Sequence, residues 1–382
     1  MDRRAYLGAV AAGLGTLAGC AVEAPAGTDG TDSVPKSTSP PGSTPPRLAD
    51  VELPVPRSEL TYAAPKDVFP AIVDPVFGED WSGIEFESYG GAGKRPRLTP
   101  EDRVVGVVRD GEARAYPLRV LLEHEIVNDD FGGPLLVSFC HLCGSGVTAE
   151  RVIDGEAATF GVSGKLWNSD LVMYDVPTES YWSQILATGI RGEHTGDELT
   201  LVPSTLTRWG KRRETHPETV VLRPPPESGT IDGSGPQFYA TNREAYRNSA
   251  AIGVGKNDFS DGRLYAKRVV VGVTHDGNAR AYPLTTVSQE GVVNDSVGDL
   301  PVVVANVGTT LVAYDRRVGN RTLTFRRVDG ETLAAGGSRW DLLSGRAEGG
   351  THQGTVLRQA NDVSQLYWFA WAQHHPGTTV YR

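Results

Sequence analysis

The chain is short of cysteine and of lysine, and each shortage excludes something. Only three of its 382 residues are Cys, at positions 20, 140 and 143. That is too few for a disulfide framework or a multi-cysteine cluster. Acidic residues outnumber basic ones 47 to 37, for a formal net charge of −10. This argues against a nucleic-acid partner, which needs a basic face; the run Lys211-Arg212-Arg213 is too short to supply one. Only 7 of the basic residues are Lys and 30 are Arg. A Lys-poor acidic surface suits a protein bathed in concentrated salt, as in a halophile; a GC-rich genome favouring Arg codons gives the same balance. The common catalytic templates are missing. No G-x-S-x-G elbow, phosphate loop or H-E-x-x-H occurs, and Gly144 after the cysteine pair rules out the Cys-x-x-Cys-His haem signature.

What is present begins at the N-terminus. Arg3-Arg4-Ala5-Tyr6-Leu7 reads as a twin-arginine export signal. The apolar run Ala5–Gly19 that follows has 15 residues, short of the roughly 20 needed to span a bilayer. It closes on Leu17-Ala18-Gly19-Cys20, which resembles a lipobox, the signal in which the chain is cut before Cys and that Cys receives a lipid. The expectation is a lipoprotein signal over 1–20 with Cys20 as the lipidation site, then a disordered Gly, Ser, Thr and Pro tether over 21–47. The protein is then extracytoplasmic, a membrane partner through its lipid, on the outer face of the cell membrane. An ordinary cleaved secretion signal is the alternative.

A long internal repeat follows. Residues 104–118, VVGVVRDGEARAYPL, return as VVGVTHDGNARAYPL at 270–284, and 104–129 against 270–295 gives 15 identities in 26 positions. Further on, Phe160 matches Phe325, Trp182 matches Trp340, His194 matches His352 and His216 matches His375. A repeat this long implies two related lobes. Turn-rich segments place them at 48–223 and 263–382, with 224–262 as linker and lead-in. Asp110-Gly111 and Asp276-Gly277 between β-like runs predict hairpins, and Val147–Val152 with Ala157–Val162 predict another across Asp154-Gly155. Leu118–Glu125 and Thr241–Ser249 read as short helices, and Leu135–Phe139 and Leu171–Tyr174 as strands. Trp81, Phe86 and Tyr89 are expected to pack on the first lobe. The fold class is α+β, β-rich, with few short helices. Arg114, Tyr116, Asn128 and Asp129 recur in both halves and read as scaffold, the last two as a turn.

The lobes differ in chemistry. Cys140-His141-Leu142-Cys143-Gly144 has no copy in the second half. Two thiolates at this spacing can bind one ion, with copper, zinc or iron as candidates and Gly144 easing the turn. The remaining ligands have to be histidines. His124 aligns with Glu290 and so belongs only to the half with the cysteines; His124 and His194 are the metal-ligand candidates, and His141 is set between the thiols. A thiol–disulfide oxidoreductase is the alternative, weakened because no helix follows the pair. A non-catalytic surface binding module with a structural disulfide is the third, although so small a loop adds little stability. A second polar cluster, Ser163, Lys165, Asn168, Ser169 and Asp170, is a candidate pocket with no clear copy in the second half; its bland reading is a turn. Trp167 and Trp182 fit buried core or a pocket wall. The ligand of such a pocket, a small molecule or a protein, is left open.

The stretches His124–Asp129, Cys140–Ser145, Phe160–Leu171 and Thr178–Gln184 together resemble the domain-of-unknown-function family 3179 over most of 60–382. The resemblance implies kinship and brings no activity, substrate or cofactor. His141 stands where that family's usual pattern has Pro.

Overall fold

A computed structural model describes residues 51–84, 97–234, 246, 248–254 and 259–382. The signal, Cys20, the tether, Phe86, Tyr89 and most of the expected helix at 241–249 lie outside these residues. The fold is β-rich, 44% strand against 11% helix, spread over several sheets. Among the described residues there are four α-helices of seven residues each: α1 (Leu118–His124), α2 (Trp209–Thr215), α3 (Leu284–Glu290) and α4 (Trp368–His374). None is long and apolar enough to cross a membrane.

Three five-stranded sheets carry residues up to 230. In the first, Arg103–Arg109 and Glu112–Pro117 form a hairpin in which Arg109 pairs with Glu112. Its two turn residues, Asp110 (φ 51°) and Gly111 (φ 83°), are left-handed, the geometry that matches strand twist and that Asp-Gly tolerates. The second sheet contains Ile126–Asp130, Pro134–Cys140 and Ser145–Glu150 in antiparallel order. The third contains Leu60–Tyr62, Phe160–Trp167, Asp170–Asp175, Tyr181–Ser183 and Thr188–Arg191. Beyond residue 260, Val269–His275 and Asn278–Pro283 form a hairpin across Asp276 (φ 46°) and Gly277 (φ 74°). A three-stranded sheet (Val292–Val297, Leu300–Val307, Thr310–Asp315) and a four-stranded one follow.

Several side-chain arrangements occur in both halves. Asn128 mimics a strand: its amide donates to Phe160 O (2.9 Å) and its Oδ1 accepts from Phe160 N (2.7 Å). Asn294 does the same to Phe325 at 2.8 Å each way. Phe160 packs edge-on against Trp182 with centroids 5.7 Å apart, and Phe325 against Trp340 at 5.7 Å. His194 and His352 each lie tilted on the same tryptophans. Asn128 and Asp129 are therefore not a turn. They sit inside the strand Ile126–Asp130 because their side chains are spent on buried partners, which overrides turn propensity. The Asp154-Gly155 hairpin is also smaller than expected. Only Val152–Ile153 and Glu156–Ala157 pair across it, because Ser145–Glu150 is taken by the strand ending in Cys140.

Trp81 is buried and donates from Nε1 to Leu222 O (2.8 Å), packing where expected. One core runs through both halves, joining Cys140, Leu142, Cys143, Phe160 and Trp182 to Leu366, Tyr367, Phe369 and Trp371. The cysteine pair thus lies in apolar surroundings, at the seam between the N-terminal sheets and the C-terminal segment.

Candidate metal centre

Cys140 is the last residue of its strand and pairs with Ser145 across the four residues 141–144. Gly144 holds φ 67° there, and a side chain on it would press on the Tyr367 ring, 3.2 Å from its nearest atom. The loop is gripped by the C-terminal segment: Tyr367 N donates to Cys143 O (2.8 Å), and Ser364 Oγ accepts from Gly146 N (2.8 Å). Tyr246 Oη donates to Leu142 O (3.1 Å). Both cysteines are buried free thiols. Cys143 N donates to Cys140 Sγ (3.4 Å).

The facing wall comes from the third sheet. Phe160–Trp167 turns into Asp170–Asp175 through Asn168 (φ 50°) and Ser169 (φ 68°), a two-residue loop in the left-handed region. Ser169 O receives the Cys143 thiol at 3.2 Å and the Cys140 thiol at 3.6 Å. The next residue, Asp170, is fully buried. Its Oδ2 accepts from Ser183 Oγ (2.7 Å) and Ile185 N (3.1 Å), while its Oδ1 has no hydrogen-bond partner. The ligand atoms of Cys140, Cys143 and Asp170 all lie within 4.8 Å of one another. Behind them, Ser145 Oγ donates to Gln184 Oε1 (2.8 Å), and Gln184 Nε2 donates to Ser138 Oγ and to Ser145 O (3.2 Å each).

The electrostatics follow from burial. Burial pushes the Cys143 thiol well above its ordinary value, and Cys140, Asp170 and Glu125 push it further. Burial likewise raises Asp170 to about 7 against the hydrogen bonds that favour its charge. Burial thus favours the protonated forms of Cys143 and Asp170 in this apolar site. A divalent ion bound there would displace those protons and neutralise the charges left behind. The donor set fits such an ion: two sulfurs at knuckle spacing and a carboxylate oriented by Ser183 Oγ and Ile185 N.

The structure divides the sequence candidates. Of the expected ligands, it brings together Cys140 and Cys143; Asp170, expected only as a pocket residue, joins them. His124 and His194 are not in this group. His124 Nδ1 donates to Pro70 O (2.7 Å), and His194 Nδ1 is 2.9 Å from Asp197 Oδ2 with its ring on Trp182. His141 turns to Glu125 (Nδ1 to Oε1, 3.4 Å) and to the Tyr246 ring. The polar cluster 163–170 splits in two. Ser163 and Lys165 belong to a bulge where Ser163 Oγ bonds Val172 O (2.5 Å) and Gly164 O accepts from Ala63 N and Ala64 N. The Lys165 ammonium faces the Tyr62 ring at 5.7 Å. Asn168 serves the turn, so only Ser169 and Asp170 reach the thiols. Trp167 and Trp182 are buried core.

Sequence reasoning missed His374, at the end of α4. Its Nε2 is 3.8 Å from Asp170 Oδ2, and burial drives its pKa down to about 4. Apart from Gln373 the helix is Trp, Phe and Ala, and nothing local marks His374 as a ligand.

Fold and site together define a class: a β-rich, multi-sheet protein with a buried thiol–carboxylate centre. The chain belongs to the family described as Protein of unknown function (DUF3179), whose model matches residues 66–378. Searches of curated proteins and of solved structures found no match.

Proposed function

We propose that this chain is an extracytoplasmic, lipid-anchored protein that binds one transition-metal ion through Cys140, Cys143 and Asp170. The carrying observation is the convergence of two buried thiols and a buried carboxylate, whose ligand atoms lie within 4.8 Å of one another. The carboxylate favours a borderline ion, zinc or ferrous iron, over soft Cu(I). Full burial of all three residues suits a closed, structural type of site. A thiol oxidoreductase needs an accessible thiol of lowered pKa; Cys143 is buried and shifted the other way. The 15-in-26 identity and the recurring Asn–Phe and Phe–Trp pairs support an internal duplication, with the second lobe a copy that lost the cysteines. Elemental analysis and thiol titration on one sample of exported protein test the reading. Metal near one equivalent supports it; metal-free protein with a reversible Cys140–Cys143 disulfide sinks it.

Loading should depend on pH with a defined sign. Asp170 is raised to about 7 in the folded, metal-free protein from an ordinary value of 3.8. A raised carboxyl pKa means its contribution to metal-free stability is full below 3.8 and is lost as pH rises through about 7. Binding an ion forces the proton off. Calorimetric titration with zinc in buffers of different ionisation enthalpy should therefore show about one more proton released per ion at pH 6 than at pH 8. Equal release at both would show that Asp170 gives up no proton to the ion, and Asp170→Asn with unchanged zinc affinity would then remove it from the ligand set.

Anchoring rests on the sequence at Cys20. In Cys20→Ala, the protein should move from the membrane fraction to the medium. An unmodified, uncleaved N-terminus in the mature wild-type protein, read by mass spectrometry, would overturn the lipid assignment.

A further inference from the structure

We propose that His374 is the fourth ligand of this centre, so that the ion ties the C-terminal helix to the cysteine loop; the inference rests on the metal reading above. Its basis is a pair of orphan atoms. His374 Nδ1 is 2.8 Å from Ala370 O. A carbonyl only accepts, so Nδ1 carries the ring proton and Nε2 presents a lone pair. That Nε2 is buried without a hydrogen-bond partner, in a residue 1% exposed. It faces Asp170, 3.8 Å from Oδ2, and the other orphan is Asp170 Oδ1. Once Asp170 is ionised, Nε2 faces another acceptor, and it has lost its water without gaining a hydrogen-bond partner. A cation coordinated by both removes the deficit.

The rest of the residue's setting agrees with ligation. The Nδ1–H···O=C bond to Ala370 is the contact that fixes the tautomer of a metal-bound imidazole and aims its other nitrogen. Trp167 closes the ring in edge-on, centroids 5.1 Å apart. The helix itself is held by the C-terminal half. Trp368 N and Phe369 N donate to Arg268 O and Ala266 O (2.8 Å each), and Trp371 packs where Gly272 leaves room for its ring. His374 thus reaches from one half of the chain into a centre built by the other. Two cysteines, one histidine and one aspartate make a complete tetrahedral set of S, N and O donors. Nε2 is not among the three atoms within 4.8 Å of one another. Ion binding has to draw the ring and Asp170 together, and so should tighten α4.

The test uses the full exported chain loaded with Zn(II), or with Co(II) as a spectroscopic substitute. X-ray absorption at the zinc edge should show two sulfur and two nitrogen or oxygen neighbours, with the outer-shell scattering of one imidazole. In His374→Gln the imidazole signal should vanish and the Co(II) bands should change. Zn(II) affinity should fall by at least about 100-fold, beyond the roughly 10–100-fold typical of losing an outer-shell partner. Backbone amides of α4 should exchange more slowly in zinc-loaded than in metal-free wild-type protein. Sulfur ligation without imidazole in the wild type, or a variant with unchanged affinity and Co(II) spectrum, overturns the role of His374 while leaving the Cys and Asp ligands in place. Wild-type protein that binds neither ion overturns both readings.

Discussion

In Cys143→Ser the bound metal should fall from roughly one ion per chain to a small fraction of that, while the metal-free fold survives. Each sulfur is one of few strong donors in the set, and a serine hydroxyl is a poor ligand for a borderline ion. The fold should tolerate the change because the cysteine does little else. It closes no disulfide, its thiol bonds Ser169 O at 3.2 Å, and a hydroxyl can make that bond in its place. The surrounding loop is held by backbone contacts from Tyr367 and by the Ser364 hydroxyl, which the substitution does not touch. The metal-free variant should therefore stay within about 1.5 kcal/mol of the metal-free wild type in unfolding free energy, because the new hydroxyl keeps a hydrogen-bond acceptor in Ser169 O. Zinc should raise the wild-type melting temperature and leave the variant's unchanged. Two results would count against the centre: full metal content in the variant, or a metal-free variant that has lost most of its stability.

The sequence revealed those features whose cause is local. Asp-Gly between β-branched runs forces a left-handed two-residue turn, so both long hairpins were readable. The cysteine loop was readable because Cys-x-x-Cys-Gly after an apolar strand leaves few alternatives. What was hidden depends on contacts distant in sequence. Asn128 and Asp129 have turn propensity, yet Phe160, Arg114 and Tyr116 consume their side chains and draw them into a strand. Asp170 looked like part of a polar turn, and only the fold shows that its carboxyl passes beyond the turn to the thiols. His374 carries no signal at all, because its neighbours form an apolar helix face and its partner is at residue 170. His374 lies 231 residues beyond Cys143, and no spacing or repeat relates the last helix to the cysteine loop.

The repeated Arg-Ala-Tyr-Pro motif leads to the second large effect, an unequal one. Arg114→Ala should cost about 3–5 kcal/mol of stability, the penalty for stranding a buried charge. Arg114 Nη1 bonds both oxygens of Asp129, at 2.7 and 2.8 Å, and Tyr116 Oη donates to the same carboxylate at 2.5 Å. The guanidinium is sandwiched between Phe77 and Phe131, 4.4 and 4.5 Å from their centroids. Asp129 is 2% exposed, so its charge has no water to turn to once the arginine is gone. Tyr116 cannot replace it, because a phenol offers a dipole where a full charge was lost. The corresponding pair, Arg280 with Asp295, is built alike, with Nη1 to Oδ2 at 2.7 Å and Tyr282 donating at 2.9 Å. Its side chains are 32% and 19% exposed, so Asp295 can hydrate, and Arg280→Ala should cost only about 1 kcal/mol. Urea unfolding of both variants measures the difference. Adding Asp129→Asn to Arg114→Ala should recover part of the loss by removing the stranded charge, whereas Asp129→Asn alone should destabilise. Equal costs for the two arginines would show that burial of the partner charge does not set the penalty, and no recovery in the double variant would show that Arg114 acts through packing of its guanidinium on Phe77 and Phe131.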